Sequence, residues 1–490
     1  MRVLGAADYD LPLELECEVA VIGAGAGGIA AACALAERGL DVVLVEEGSY
    51  WRPRDFQPSN PWAFSHLYQE RGARVALGNG WMPVNGGRGV GGSTLINSAI
   101  SFKTPDRILE DWRARAGFDP TGLFHEHLER VWNTIGIVKN PESVQGMNNI
   151  VFKRGAEALG LDGDYLYRSA PACTGCGVCQ LGCPTGGKNS VDRTFLPIAM
   201  ATGNLGAFSD CRAEDAEQQG SIIVSVSGSV LDPESQEAVG RFRVRAERFV
   251  LAGGSIGSPR FLMKNGLAPN EHCGQHLHFH PGTPVYAGFE EEIVNWSGVS
   301  QGYCVNRWDR GYLLQTATIT PDNHFLGLPL ALGPESNEVM SRLRHVALAG
   351  ALIHDEDTIG EVTESGLYFD FGEHDRAVLL AAVRECCEVF FAAGAEWVVP
   401  GLVGVGMFRS VDEIDVPEHT PFDRIIAVAS HPMGTCRMSV EPDEGVVDPD
   451  GRVHGLDNLF VADASVFPTA LGVNPQVTVM AIGLMVGSKA

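Results

Sequence analysis

The sequence predicts an α/β protein: a doubly wound, largely parallel sheet of the Rossmann type, joined to a second domain with an antiparallel sheet and covering helices. Three observations carry this reading. Residues 17–48 run strand, glycine turn, helix, strand, acid, which is the order of a dinucleotide-binding unit. Glycine-rich stretches at 85–102 and 251–267 adjoin apolar runs, as backbone packed against a ligand does. Between residues 281 and 427 apolar and polar residues alternate along short segments, the mark of a sheet with one solvated face.

The first unit explains itself residue by residue. Residues 18–22 form an apolar run suited to a buried parallel strand. Gly23, Gly25 and Gly28 follow at the G-x-G-x-x-G spacing. Gly23 permits the tight turn, Gly25 lets backbone approach a pyrophosphate, and Gly28 lets the helix pack closely on the strand. An alanine-rich helix runs to Arg38, Gly39 can end it, and 41–45 reads as a second buried strand. Glu46 then offers a carboxylate to ribose hydroxyls. The motif leaves NAD and FAD open.

Length and composition bound the rest. A chain of 490 residues can hold two or three domains. A formal charge of -25 disfavours nucleic acid and anionic membranes as partners. No apolar run is long enough to span a bilayer, and the N-terminus lacks the pattern of a secretory signal, so the expected location is cytoplasmic. Twelve cysteines in such a chain do not read as a disulfide framework.

Residues 50–83, rich in Trp, Pro and Arg, read as an irregular connection. The next stretch is specific. Gly89-Val90-Gly91-Gly92-Ser93-Thr94-Leu95-Ile96-Asn97 resembles the G-x-G-G-S-[ST]-x-x-N loop of the glucose–methanol–choline (GMC) oxidoreductases, which are FAD enzymes. The resemblance implies a loop around the flavin, with Arg88, Gly92, Asn97, Ser98 and Ala99 against the cofactor. Some members attach FAD through a histidine just before this asparagine. Ile96 stands there in this chain, which implies non-covalent FAD.

Helical periodicity follows at 106–134 and 148–159, then strands at 221–230 and 240–250. The run LAGGSIGSPRFLMKNGL at 251–267 resembles the second signature of the family, and Ala213 and Ala252 are assigned to FAD on the same resemblance. Strands at 283–289, 312–319, 345–353 and 366–371, with a helix at 375–393, make the natural substrate domain. Residues 430–438, 446–465 and 474–483 are again similar to family segments. The expected organisation is an FAD-binding domain from 1–105, 190–280 and 428–490, a connecting or lid region at 106–189, and a substrate-binding domain at 281–427.

Flavin-dependent oxidation of an alcohol needs a base at the hydroxyl and a donor holding its oxygen, because carbon releases hydride readily only as the oxygen becomes an alkoxide. By position, His431 matches the family's active-site histidine and Asn474 its partner. Structural roles exist for both: His431 precedes Pro432 and suits an extended loop, and Asn474-Pro475 suits a helix cap with proline in the first turn. The resemblance also gives Ala464, Pro475 and Gln476 to the cofactor. Asp463 is expected on the ribityl or pyrophosphate part of FAD, with a helix cap as the competing role.

Cys173, Cys176, Cys179 and Cys183 have the spacing of a ferredoxin ligand run, although no second run accompanies them. An iron–sulfur cluster, zinc, and reduced structural thiols near FAD are the three readings. His276, His278 and His280 alternate and would share one face of a strand, though a metal there is not expected. The expected activity is FAD-dependent oxidation of a primary or secondary alcohol, passing electrons to oxygen or another carrier. The acids between Glu290 and Asp375 point to a cationic polyol such as an amino sugar or aminoglycoside. A fatty, steroid or aromatic alcohol is the alternative, as are a flavin-containing lyase and an iron–sulfur-linked dehydrogenase.

Overall fold

The computed structural model describes residues 2–323 and 327–490. Its first sheet has seven strands, in the order Leu205–Phe208, Val42–Val45, Leu13–Ile22, Ala238–Leu251, Ile222–Leu231 and Cys211–Gln219, with Leu459–Val461 paired to the end of Ala238–Leu251. The pairs from Leu205–Phe208 across to Ala238–Leu251 are parallel, and the last two strands return antiparallel. Val42 to Val45 are all buried, as a parallel strand covered on both faces must be.

The helix Ala26–Glu37 is apolar around its whole circumference, so it has to be enclosed. It is enclosed by the last helix, Gln476–Lys489, and glycine sets their separation. A Cβ on Gly483 would lie 2.3 Å from the Gly27 carbonyl oxygen, and one on Gly487 would lie 2.5 Å from that of Ala31. The two ends of the chain are thereby packed backbone to backbone.

A second sheet of six antiparallel strands runs Trp397–Pro400, Gly282–Gly288, Val346–Ile353, Tyr312–Thr316, Tyr303–Arg307 and Gly163–Tyr165. The helix Glu373–Ala392 covers it, burying Leu379, Val383 and Phe390 with Val285, Leu314 and Ala349. Among the described residues no helix is long and apolar enough to cross a membrane.

Three expectations need correction. Residues 50–83 are not irregular: they hold the helix Asn60–Leu67 and the strands Val75–Leu77 and Trp81–Pro83. Pro61 lies in the helix's first turn, where its missing N–H costs nothing. The strand Leu367–Asp370 does not join the six-stranded sheet; it pairs with Ile359–Val362 and Val75–Leu77 in a separate four-stranded one. The helical stretch 106–134 divides into Asp106–Ala116 and Leu123–Thr134, because Gly117 takes a left-handed φ of 69° and ends the first helix.

The contact between the chain's two ends gives a test. Gly483→Ala places a methyl group against backbone that cannot yield, and should destabilise the fold by about 1–3 kcal/mol. A urea unfolding midpoint equal to that of the wild type would show that the two helices can separate freely.

Candidate functional site

A cavity of about 1080 Å³ opens at the carboxyl ends of the central parallel strands, lined there by Ile22, Gly23, Val45, Glu46 and Leu251. Open parallel sheets bind ligands at this edge. Its other walls come from the helix Asn60–Leu67 and the antiparallel sheet, including Phe64, Tyr68, Tyr286 and Leu348. Pockets for a single small molecule range over about 300–1,000 Å³, so there is room for a large cofactor and a substrate.

Two helix N-termini meet this space. The helix Ala26–Glu37 starts at Gly25 and Gln476–Lys489 at Pro475, and no side chain caps either one. Their first N–H groups are therefore left for a ligand and carry partial positive charge. A Cβ on Gly25 would meet nothing within 4 Å, so bare backbone borders the cavity there. One on Gly92 would strike the Gly25 Cα at 2.7 Å, which fixes the Gly92 loop against the first glycine turn. Glu46 lies at the strand end and accepts N–H groups of Ala24, Gly48 and Gly89 at 2.8, 3.0 and 3.1 Å. Burial pushes its pKa up to about 7, Glu47 adds to the rise, and the three N–H donors oppose it. Uncapped helix ends, side-chain-free backbone and an acid at the strand end fit the pyrophosphate and ribose of a dinucleotide.

Most residues singled out in the sequence stand on this wall: Gly23, Gly25, Glu46, Arg88, Gly92, Asn97, Ser98, Ala213, Ala252, Asp463, Ala464, Pro475 and Gln476. Two do not. Gly28 is a packing residue, where a Cβ would lie 1.9 Å from the Gly23 carbonyl oxygen. Ala99 is fully buried behind the wall at a φ of 61°, a turn held by its N–H bond to Asn97 Oδ1 at 3.1 Å. Asn97 also donates to Gln476 Oε1 at 3.0 Å, and Gln476 donates to the Ile100 carbonyl at 2.6 Å, tying the glycine-rich loop to the last helix. Asp463 spends both oxygens on protein donors: Gly254 N–H at 2.9 Å, Ser258 Oγ at 2.6 Å and Ser465 N–H at 2.8 Å.

His431 and Asn474 come together at this cavity. The segment carrying His431 is pinned by paired backbone bonds, Val428 with Gly282 and Met433 with His278. Asn474 Nδ2 donates to His431 Nε2 at 3.2 Å, while its Oδ1 accepts from Gln315 Nε2 at 3.1 Å. Asn474 therefore does not cap the last helix as expected: its amide is committed to Gln315 and His431, and Pro475 stands at the cap position. With Nε2 accepting, the His431 proton sits on Nδ1, which has no hydrogen-bond partner among the described residues. Burial lowers the His431 pKa to about 4, against a smaller opposing pull from Asp355. The ring lines the cavity, and at neutral pH it is unprotonated with its Nε2 lone pair on the Asn474 amide. Gln315 was not identified from sequence. Nothing in a lone glutamine on a strand announces that it aims another residue's amide.

Comparisons with known proteins give no support to an iron–sulfur cluster at the cysteine run. Among the described residues no group of three or more His, Cys, Asp or Glu side chains converges as a metal site. Cys173 and Cys179 both face the Arg168 guanidinium, and Cys183 accepts the Lys188 N–H, so protein donors occupy the sulfurs. His276 and His280 take positive φ values, which rules out one strand face shared with His278.

The acids expected to meet a cationic substrate are also elsewhere. None of those between Glu290 and Asp375 lines the cavity among the described residues. Glu291 and Glu292 pair with Arg154 and Arg344, and Glu373 with Arg376. Asp355 holds His278 and two backbone N–H groups, and Asp375 accepts from Glu356, Asp357 and Thr358. Away from the parallel strands the wall offers Phe64, Leu181, Pro284, Tyr286, Ile319 and Leu348, beside the polar Gln69, Gln301, Thr318 and Thr320 and the charged Glu70 and Arg74.

Comparison with known proteins agrees with this geometry. GMC oxidoreductase profiles match residues 64–282 and 367–483, and an FAD binding domain profile matches residues 18–53. A GMC-type oxidoreductase of Mycobacterium tuberculosis is 31% identical over 472 residues, covering 94% of this chain and 74% of the relative. A long-chain-alcohol oxidase of Arabidopsis thaliana is 28% identical over 503 residues, covering 94% of this chain and 65% of its own length. The crystal structure of pyridoxine 4-oxidase from Mesorbium loti shares the fold, with a TM-score of 0.74 at 19% identity over 96% of this chain and 99% of that one. With both profiles in order and a relative matched along nearly the whole chain, this protein belongs to the GMC oxidoreductase family and is an FAD-dependent oxidoreductase.

Proposed function

We propose that the protein oxidises an alcohol with an apolar body to its carbonyl compound. The observation that carries this reading is the pairing of His431 Nε2 with the Asn474 amide at a cavity where Phe64, Leu181, Pro284, Tyr286, Ile319 and Leu348 stand beside Gln301, Thr318 and Thr320, with none of the carboxylates between Glu290 and Asp375 among the described lining. FAD, when bound along the glycine turns, supplies the acceptor for the hydride that leaves the alcohol carbon. When the alcohol enters, the Asn474 N–H turns from Nε2 to the hydroxyl oxygen, and the freed Nε2 lone pair takes the hydroxyl proton. Asn474 Nδ2, aimed by Gln315, donates to the oxygen left behind and steadies its growing negative charge. An amide serves here because it donates without competing for the proton. The apolar wall would hold the body of the alcohol and exclude water from the reacting carbon. The name of the plant relative, a long-chain-alcohol oxidase, is consistent with such a wall.

Anaerobic flavin bleaching across fatty, aromatic, steroid and amino-sugar alcohols tests the reading. A neutral long-chain or aromatic alcohol should bleach fastest, with a rate nearly independent of salt because no long-range charge attraction is screened. Faster bleaching by an amino sugar, weakening as salt rises, would overturn it.

His431→Ala should retain FAD while turnover falls by about 10²–10⁴, the usual loss when a general base is removed. Wild-type rates of flavin reduction in this variant would remove His431 from the chemistry.

The pH profile follows from burial. A histidine whose folded pKa is depressed stays unprotonated well below its ordinary value of about 6.5. The acid limb of kcat/KM should therefore lie near the lowered His431 value of about 4. By linkage, the stability that depends on neutral His431 is present above about pH 6.5 and is lost as pH falls through the folded value. An acid limb near the ordinary histidine pKa would show that the ring is solvated in the working enzyme.

A further inference from the structure

His280 takes neither proton nor hydride in the proposed chemistry, yet it is joined to both members of the pair that matters. It is 2% exposed. Its ring packs edge-on against that of His431, with centroids 5.4 Å apart. Its Nε2 accepts two consecutive backbone N–H groups, those of Leu471 at 3.0 Å and Gly472 at 2.7 Å. Asn474 follows two residues later. A ring nitrogen that receives N–H donors carries no proton itself, so the imidazole is neutral with its proton on Nδ1. Nδ1 has no partner among the described residues, which leaves the turn at Leu471 and Gly472 as the ring's hydrogen-bonding contact.

Consecutive N–H groups converge on one atom where the backbone folds into a nest, and a left-handed residue lets it do so. Gly472 has a φ of 68°, and a Cβ there would lie 2.6 Å from the Trp308 ring. The nest therefore needs glycine and has no room to spread. Leu471 and Gly472 are buried, so without His280 their N–H groups would lack water as well as an acceptor. From the other side, His354 Nε2 donates to the Ala470 carbonyl at 3.2 Å. His280 is itself fixed. Asp355, 1% exposed, accepts the N–H groups of Phe279 and His280 at 3.0 Å each and His278 Nδ1 at 3.1 Å. Those bonds hold His280 at a φ of 51°, a conformation that few side chains adopt. A buried carboxylate thus sets the imidazole, and the imidazole sets the turn.

We infer that His280 is a positioning residue: it holds the turn at 470–472 so that Asn474 meets His431, and Asp355 holds His280 for that task. The reach is short. Two residues of chain span at most about 7 Å, so play in the turn passes directly to Asn474. Its amide has little slack, lying 3.2 Å from His431 Nε2 and 3.1 Å from Gln315 Nε2. Gln315 sets the direction of that amide, and His280 sets where its backbone starts. A misplacement of about 1 Å at a reacting group can cost about a hundredfold in rate. The hold on the turn is independent of the alcohol chemistry; its effect on rate rests on the role proposed above for Asn474.

Hydrogen–deuterium exchange of the holoenzyme, read on peptides covering residues 468–476, tests the hold on the turn. His280→Leu should speed exchange there, because an aliphatic side chain offers the two N–H groups no acceptor. His280→Gln, whose side-chain oxygen can take the place of Nε2, should keep the wild-type protection. Unchanged exchange in His280→Leu overturns the proposal. Should that variant fail to fold, His280→Asn, whose shorter amide stops short of the turn, carries the same expectation. Anaerobic flavin reduction tests the positioning. His280→Leu should slow it about ten- to a hundredfold with substrate affinity unchanged, and His280→Gln should recover most of the rate. In an Asn474→Ala background His280→Leu should cost less than about twofold, as expected when two residues act as one unit. A full loss in that background overturns the positioning role. Wild-type flavin reduction by Asn474→Ala alone would count against the alcohol reading, and the exchange result would still decide whether His280 holds the turn.

Discussion

The constraint on which the site depends is the backbone contact between the first helix and the last. Gly483 and Gly487 let Gln476–Lys489 press onto Gly27 and Ala31. That single contact sets where both helices begin. Their uncapped N-termini end on the same cavity, and the residues just before the second helix deliver Asn474 to His431. Cofactor recognition and the proposed base chemistry are therefore not independent inventions on the scaffold. A shift of one helix along the other would move a helix N-terminus and the proposed catalytic amide together.

Burial explains why the His431 end of the site is made of neutral polar groups, His431, Asn474 and Gln315. Deep in the cavity an ion would be costly, and burial depresses His431 until the ring is neutral. Asn474 adds a donor without adding charge, and Gln315 holds it in one of its two orientations. A chain of amides ending on an imidazole can stabilise charge that appears only during reaction. In the resting protein it leaves nothing to neutralise.

Legibility in the sequence followed from how local each requirement was. Gly23, Gly25 and Glu46 serve one strand–turn–helix unit, so their spacing alone located them. Parallel strands such as Val42–Val45 were plain because burial on both faces leaves no polar position. Where partners lie far apart in the chain, the signal failed. Ala99 reads as a wall residue because its neighbours are, but its φ of 61° turns it away. Gln315 gains its role from a residue far along the chain, and no periodicity encodes that. The helix Asn60–Leu67 hid behind a proline whose position in the first turn is visible only once the cap at Ser59 is known. Composition misled most. Acids between Glu290 and Asp375 suggested attraction to a cationic substrate, whereas those side chains balance arginines or cap backbone away from the cavity.

The cysteine run shows why spacing and chemistry can part company. A ligand run brings sulfurs near one another, and thiolates crowded in a low-dielectric interior then require positive charge. A metal ion is one source of that charge. Here Arg168 donates to both Cys173 and Cys179, and the Lys188 backbone N–H donates to Cys183, so three of the four sulfurs already have protein donors. The same two residues bond the carbonyls of Leu95, Asn97 and Ser98, so the cysteine run also braces the loop on the cavity wall. Spacing tells which sulfurs lie near one another in the chain, and the donors around them come from residues that spacing does not name.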